Sequence, residues 1–329
     1  MQVNCPICSN KENFKKLEQC GEFEIFRCGN CDLEFSWPMQ GADDQWYDAM
    51  YKVRHLAPDD RVKHFHQKGL NYSAPGSKIL DIGCGEGTFV NYATKLGHQA
   101  WGLDFSEGMI KTAQKQFPQA TFLLGRLEDF LQEYPEEKFD AVFLFEMVEH
   151  QSDPVGILKE ARKVLRPAGK LIVSVPSRNA WPVRDFVDYP PHHLTRWNGR
   201  ALAQLMESAG FTLREIVTTS RIASLNAFLG YCLFRIPMYS LLNLKKSFAG
   251  KKNPAKEELG KRGLIYRVLG NYGSFLRRAR DQALWIPTLI LAPIFLPMIE
   301  GTTLVLWAEA TPGEKAESKE RAQNSFEHR

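Results

Sequence analysis

The stretch KILDIGCGEGTFV (Lys78–Val90) decides the fold of this chain, because an apolar run leads into a glycine-rich turn and then into a helical pattern. Further strand patterns follow at Gln99–Asp104, Ala120–Leu124, Phe139–Phe145 and Lys170–Val175, with helical patterns between them. Strands and helices that alternate at this pitch predict an α/β fold with a doubly wound, mainly parallel sheet.

Two of the intervening helices carry start signals. Ser106 precedes one helical pattern, and Asp153 followed by Pro154 precedes another. Serine and aspartate accept hydrogen bonds from the free N–H groups of a first turn, and proline fits the first helical position. We therefore expect helices to begin at these two sites.

A ligand of such a sheet binds at the carboxyl ends of its strands. Gly83, Gly85 and Gly87 form GxGxG rather than the GxGxxG of dinucleotide folds, and Thr88 stands where the third glycine of that motif would be. Asp104 ends the second strand, 21 residues after the first glycine, where a carboxylate can accept both hydroxyls of a ribose. The pattern predicts a nucleoside-containing ligand.

Six motifs in order extend this pattern from Lys78 to Thr219: DIGCGEG, GLDFS, GRLEDF, EMVEHQSDP, VLRPAGKLIVSVPS and ESAGF. Their succession resembles the class I S-adenosylmethionine-dependent methyltransferases. The resemblance implies a Rossmann-like methyltransferase fold with a mainly parallel sheet and an antiparallel last strand. The competing family, nicotinamide-dependent oxidoreductases, would carry the third glycine that is missing here.

The resemblance also implies which residues hold S-adenosylmethionine. Asp104 would bind the ribose and Phe105 would pack on the adenine. Glu128 would lie near the adenine amino group, with Asp129 as the substitute candidate, because Arg126 occupies a position where the family often has an acid. The methionine part would be held by Asp81 and by the backbone of Gly83, Cys84, Gly85 and Gly87.

A second group of candidates lies in EMVEH, directly after the fourth strand. Glu146, Glu149 and His150 resemble the E-x-x-E-H motif of quinone-biosynthesis O-methyltransferases, which implies a site for Mg²⁺ or Zn²⁺. The alternative is a Glu-His pair that uses no metal. Glu146 is also counted among the residues that contact the cofactor.

The catalytic base is expected among the histidines, whose pKa lies near neutral pH. His192 and His193 lie in VDYPPHHLTRW, after the fifth strand, and His150 and Glu149 are further candidates. Sugar methyltransferases with an amino-terminal zinc module carry a similar histidine before leucine, and His193 is favoured for that reason. The alternative for His192 and for His193 is a structural cap of the next helix.

The amino-terminal cysteines form two CxxC pairs, Cys5 with Cys8 and Cys28 with Cys31. Four thiolates in two such turns suit a tetrahedral structural zinc ion, and residues 1–40 are predicted to be a zinc ribbon. The chain has seven cysteines, and Cys20 falls outside the pattern. An odd number of cysteines without a preceding signal peptide favours a reducing cytoplasm.

The remaining chain divides into a helical lead-in (41–76), the methyltransferase core (77–219), an insertion (220–300), a last core strand (301–310) and a disordered tail (311–329). Between Arg221 and Glu300 stand thirteen basic and four acidic residues, although the whole chain carries only +4. The run Leu284–Ile299 is apolar but contains three prolines. We expect a helical insertion that lies on an anionic membrane surface rather than crossing it. The alternatives are a re-entrant hairpin and a helical subdomain that buries these faces within the chain or in a homodimer.

Together these patterns predict an S-adenosylmethionine-dependent methyltransferase, peripheral on the cytoplasmic face of the cell membrane. Its acceptor would be a small molecule, a glycan or a lipid-linked compound, and the mild net charge argues against a nucleic-acid partner. Two alternatives stay open: a metal-assisted quinone-type O-methyltransferase, and a non-catalytic cofactor-binding protein that serves membrane assembly.

Overall fold

The computed structural model describes residues 3–42, 46–47, 62–179, 188–218 and 303–310. The predicted insertion and tail lie outside these residues, as does part of the lead-in. In the described part of the chain, no helix has the length and hydropathy needed to cross a bilayer.

Among the described residues, a seven-stranded sheet forms the centre of the molecule. Its strands are β4 (Lys78–Ile82), β5 (Gln99–Asp104), β6 (Thr121–Leu124), β7 (Phe139–Phe145), β8 (Leu165–Pro176), β10 (Phe211–Thr218) and β11 (Thr303–Ala310). They lie in the order β10-β11-β8-β7-β4-β5-β6. Pairing is parallel from β8 to β6 and antiparallel on both sides of β11, which confirms the predicted fold class.

Helices accompany these strands in the described part of the chain, and both start signals in the sequence are used. The Ser106 hydroxyl accepts a hydrogen bond from Met109 N at 3.4 Å, and the Asp153 carboxylate accepts one from Gly156 N at 2.8 Å. The helices are α1 (His64–Leu70), α2 (Thr88–Lys95), α3 (Glu107–Gln116), α4 (Leu127–Glu133), α5 (Pro154–Lys163) and α6 (Gly199–Ser208).

Strand β8 begins five residues earlier than the sequence pattern predicts, at Leu165 instead of Lys170. Leu165 pairs with Phe139 of β7 and Lys170 pairs with Ala141, so residues 166–169 bulge between the two pairs. Such a bulge admits Pro167, which has no N–H to donate to a strand ladder.

A second, antiparallel sheet has the order β1-β2-β3-β9 and joins the amino-terminal cysteine module to the core. Glu34 pairs with Arg196, and Phe35 pairs with Thr195. Apolar residues of both parts also belong to one buried cluster, so the module shares its core with the large domain. The strands are β1 (Phe14–Cys20), β2 (Phe23–Cys28), β3 (Glu34–Trp37) and β9 (Thr195–Arg196).

Candidate active site

The glycine-rich turn after β4 forms the floor of a cavity at the carboxyl ends of the parallel strands. Gly83, Gly85 and Gly87 all have positive φ, at 80°, 53° and 78°. At Gly87 a Cβ would also lie 2.5 Å from the Phe122 ring, so glycine is required there for two reasons. Gly87 is the N-cap of α2, which leaves N–H groups of the first helical turn free at the turn.

Asp104 lies beside this turn, as the spacing in the sequence predicts. Its side chain is buried, and its two oxygens accept hydrogen bonds from Gly85 N and Ser106 N, both at 2.9 Å. Burial raises the pKa of Asp104, while the two backbone N–H groups act in the opposite direction. The carboxylate therefore has a defined orientation towards the cavity before any ligand binds.

Asp81 lies in β4, two residues before Gly83 of the same turn, and its side chain is buried. Its Oδ1 atom has no hydrogen-bond partner among the described residues. Burial, together with the nearby charge of Asp104, raises the pKa of Asp81 to about 8. A buried carboxyl with an unused acceptor is suited to a cationic or hydrogen-bond-donating ligand group.

The cavity has a volume of about 750 Å³ and joins the predicted cofactor residues to the predicted histidines. This size is in the range of small-molecule and cofactor sites. Predicted residues in its lining are Asp81, Gly83, Cys84, Gly85, Asp104, Phe105, Glu128, Glu146, Glu149, His150, His192 and His193.

Asp129 does not line this cavity in the described structure. Its carboxylate accepts a hydrogen bond from Arg126 N at 2.9 Å and caps the first turn of α4. Arg126 instead lies at the cavity, with its guanidinium carbon 4.9 Å from the centre of the Phe105 ring. In the sequence, Asp129 is the candidate substitute for the acid that Arg126 replaces, but the Asp129 carboxylate is used to cap the helix.

Glu149 lies at the opposite end of the cavity and is 1% exposed. Neither of its carboxylate oxygens has a hydrogen-bond partner among the described residues. Its Oε1 atom lies 3.8 Å from His150 Nε2 and 3.9 Å from His193 Nε2. Burial, and then the charge of Glu146, raises the pKa of Glu149 well above its ordinary value.

His193 lies between two carboxyl groups. Its Nδ1 atom is 3.5 Å from Asp188 Oδ1, and its Nε2 atom faces Glu149. Burial, followed by the positive charges of His150 and Arg196, lowers the pKa of His193 well below its ordinary value. A neutral imidazole that carries its proton on the side of Asp188 presents Nε2 as a proton acceptor.

The three histidines lie together, although the chain brings them from two loops. His150 Nδ1 is 2.8 Å from the carbonyl oxygen of His192, and the rings of His192 and His193 stack with their centres 4.8 Å apart. Their ligand nitrogens lie within 4.8 Å of one another. The two stacked rings are within 16° of parallel, so their in-plane lone pairs do not converge on one ion in this arrangement.

Glu146 is not part of this histidine group. Ser174 Oγ donates a hydrogen bond to its Oε1 atom at 3.1 Å, and burial raises the pKa of Glu146 to about 7. The carboxylate that lies within 4 Å of His150 and His193 is thus that of Glu149, whereas Glu146 contacts His150 through its backbone.

Two residues in the cavity lining carry no signal in the sequence. The Tyr47 ring meets the Phe105 ring edge-on, with ring centres 5.7 Å apart. Asp188 orients His193, as described above. Tyr47 belongs to no motif, and Asp188 lies in the stretch VDYPPHHLTRW but was not predicted there as a site residue.

The four cysteines predicted to bind zinc also lie close together in space, although Cys5 and Cys31 are 26 positions apart in the sequence. Cys5 Sγ is 3.5 Å from Cys31 Sγ, and Cys8 Sγ is 3.6 Å from Cys28 Sγ. Thiolates about 2.3 Å from a tetrahedral zinc ion lie about 3.8 Å from one another. The quartet therefore fits a structural zinc ion, and all four positions are filled by protein.

Comparison with known proteins agrees with this geometry. Residues 80–173 match the family model described as a methyltransferase domain. A probable S-adenosylmethionine-dependent methyltransferase from Mycolicibacterium smegmatis is 30% identical over 147 residues, which cover 44% of this chain and 56% of that protein. A ubiquinone biosynthesis O-methyltransferase from Xanthomonas campestris is 30% identical over 144 residues, which cover 41% and 57%. The chain thus spans little more than half the length of these curated relatives.

Among solved structures, that of a putative sarcosine dimethylglycine methyltransferase from Galdieria sulphuraria is similar over 80% of this chain and 98% of that chain. Its sequence identity is 15% and its TM-score 0.49.

Proposed function

We propose that this protein transfers a methyl group from S-adenosylmethionine to an acceptor bound near His193. The proposal is supported by the match of residues 80–173 to the methyltransferase domain model. The observation that carries the proposal is the single cavity that contains both the glycine turn with Asp104 and the buried Glu149–histidine group. A cofactor-binding end and a basic end are what a methyl transfer needs in one space.

The residues at the cofactor end fit S-adenosylmethionine, whose sulfonium makes its methyl group electrophilic. Asp104 would accept the ribose hydroxyls, and Asp81, with its unused Oδ1, would face the cationic methionine part. Phe105 would pack on the adenine, which requires the Arg126 guanidinium to share or leave that ring. Glu128 is exposed at the cavity rim, where it can reach the adenine amino group.

At the other end, His193 would take the proton of the acceptor as the acceptor attacks the methyl group. Asp188 holds the Nδ1 side of the imidazole, so Nε2 is the basic atom. The imidazolium that forms would lie 3.9 Å from Glu149 Oε1, and its positive charge would favour the ionised form of that buried carboxyl. His192, which stacks on His193 and packs against Trp46, would hold the ring in place.

A second candidate is metal-assisted O-methylation, favoured by the position of Glu149. Its oxygens have no partner among the described residues, and one of them lies within 4 Å of both His150 and His193. The metal would then be held by these three residues rather than by Glu146. The relatives named as ubiquinone biosynthesis O-methyltransferases support oxygen as the methylated atom.

The acceptor is proposed to be a small molecule, a glycan or a lipid-linked compound reached at the membrane surface. Support for the membrane comes from the sequence alone, through the basic and apolar character of residues 220–300. This would place the enzyme peripherally on the cytoplasmic face of the cell membrane.

Transfer of labelled methyl groups from S-adenosylmethionine into a lipid extract and into an aqueous cell extract tests the proposal. The protein should label at least one of them, and His193→Ala should reduce the rate by about 10²-fold or more, as loss of a general base does. His193→Ala should still bind S-adenosylhomocysteine with the wild-type Kd. Binding without labelling of either extract would leave a cofactor-binding protein that is not a methyltransferase. Sensitivity of labelling to EDTA, with recovery on added Mg²⁺ or Zn²⁺, would favour the metal-assisted mechanism.

A further inference from the structure

The cysteine module is bonded directly to the loop that carries His192 and His193. Strand β3 starts three residues after the zinc-ligand candidate Cys31 and pairs with β9, which starts two residues after His193. Ser36 N donates a hydrogen bond to Leu194 O at 2.8 Å, which extends this pairing towards the histidines.

Glu34 lies at the junction of the module and the loop and is fully buried. Its carboxylate accepts a hydrogen bond from Arg27 Nη2 at 2.6 Å, within the module. From the core, Arg196 Nη1 lies 3.6 Å from Oε2, and Arg178 Nε lies 3.8 Å from Oε1. A buried carboxylate is costly unless it is paired, so Glu34 depends on these guanidinium groups of the core. Other carboxylates of the module also bind them, since Arg196 Nη1 donates to Glu18 Oε1 at 2.6 Å and Arg178 donates to Asp32.

Arg196 continues the connection to the histidine. Its Nε atom donates to the backbone oxygen of Asp188 at 3.1 Å, and its guanidinium lies over the Tyr189 ring, 4.8 Å from the ring centre. The carboxylate of Asp188 lies 3.5 Å from His193 Nδ1. A chain of direct contacts therefore runs from Glu34 through Arg196 and Asp188 to His193.

A second connection starts at Asp32, the residue directly after Cys31. Its carboxylate accepts hydrogen bonds from Arg178, which precedes the loop, and from Asn198 Nδ2, at 2.6 Å, which follows it. Arg178 and Asn198, which stand before and after the two histidines in the sequence, are thus both attached to Asp32, next to Cys31 of the quartet. The cofactor end is built differently, because Asp104 is held by Gly85 and Ser106 of the large sheet.

We propose that Glu34 is a positioning residue through which the cysteine module fixes the position of His193. Glu34 thereby orients the histidine at the acceptor end of the site and takes no part in cofactor binding. The proposal rests on the proposed function, since it takes His193 as the group next to the acceptor. According to this proposal, the large sheet forms the cofactor end of the cavity, and the cysteine module completes the acceptor end.

The test compares Glu34→Gln and Glu34→Asp in the full chain with Glu24→Gln as the matched control. Glu24 lies in the same module but pairs with Lys16 at the exposed surface. The readouts are zinc content, the Kd for S-adenosylhomocysteine, and the ¹⁵N resonances of the His193 ring, which show which nitrogen carries the proton. The fourth readout is the pH profile of methyl transfer, measured with the extract that the wild-type protein labels.

In Glu34→Gln we expect one zinc per chain, a Kd within twofold of wild type, altered His193 resonances and a shifted pH profile. Glu34→Asp should recover part of both changes, and Glu24→Gln should match wild type. Should Glu34→Gln not fold, Arg196→Lys keeps the charge but loses the simultaneous contacts to Glu34 and Asp188, and should give the same resonance change.

Unchanged His193 resonances together with an unchanged pH profile in the folded variant would overturn the proposal, and so would a loss of cofactor binding equal to the loss of activity. These results differ from failure of the proposed function itself, which would show as a wild type that neither binds S-adenosylhomocysteine nor labels an extract.

Discussion

Binding of S-adenosylhomocysteine should become stronger as the pH rises from 6 to 8, because Asp81 must lose a proton when the ligand binds. Burial raises the pKa of Asp81 to about 8, so the carboxyl is mostly protonated at neutral pH in the free protein. The ligand's ammonium group favours the ionised carboxylate. Below pH 8, deprotonation of Asp81 therefore uses part of the free energy of ligand binding. Above pH 8, Asp81 is already ionised and this cost disappears.

The magnitude follows from the pKa. Each pH unit below a pKa costs a factor of ten in the ionised fraction, which is about 1.4 kcal/mol. Between pH 6 and 7 the Kd should therefore fall about tenfold, and above pH 8 it should level off. Near pH 6.5, binding should release close to one proton per chain from Asp81.

Isothermal titration in two buffers with different ionisation enthalpies measures both the Kd and the proton release. Asp81→Asn is the matched variant, since the amide keeps the shape of the side chain but cannot ionise. It should bind more weakly at pH 8 and with a flat pH dependence. A flat Kd in the wild type would refute the reasoning, whereas a slope that persists in Asp81→Asn would assign the proton to another buried acid, such as Asp104.

Four further predictions concern the other parts of the protein. Asp104→Ala should weaken S-adenosylhomocysteine binding by about 2 kcal/mol, or about thirtyfold in Kd by calorimetry, because a charged acceptor of hydrogen bonds is lost. Gly87→Ala should lower the melting temperature and cofactor affinity together, since its φ of 78° disfavours any side chain. Elemental analysis should find one zinc per chain; Cys28→Ser should lose it and lower the melting temperature, whereas Cys20→Ser should keep both. The full chain should float with liposomes that contain anionic lipid at low salt and less so at high salt, and a variant without residues 220–300 should remain at the bottom of the gradient.

Much of the cofactor end could be predicted from the sequence, because its signals are local. The positive φ values at Gly83, Gly85 and Gly87 demand glycine wherever the turn occurs. Asp104 is the last residue of β5, and parallel strands of this fold bring their carboxyl ends to one edge. The exception is Asp129, whose carboxylate caps α4 instead of facing the cavity. A helix cap and a ligand contact use the same residue types, so the pattern does not separate them.

The acceptor end could be predicted only in part. His150, His192 and His193 stand out in the sequence because of their type and position, but neither the stacking of two rings nor the nearness of Glu149 to both His150 and His193 can be derived from spacing. The same holds for Tyr47, for Asp188, and for the Glu149 oxygens, which lack a hydrogen-bond partner among the described residues. Their roles depend on which groups fill the space around them.

By itself, the sequence determined the alternation of strands and helices, the glycine turn, the acidic end of β5 and the cysteine quartet, because each depends on residue type at short spacing. Only the tertiary structure decided that the cysteine module supports the histidine loop. Glu34 and Arg196 are 162 positions apart, and their pairing arises because β3 and β9 are neighbours in one sheet. A buried carboxylate needs a cation beside it, yet the chain can supply that cation from any element that the fold brings near.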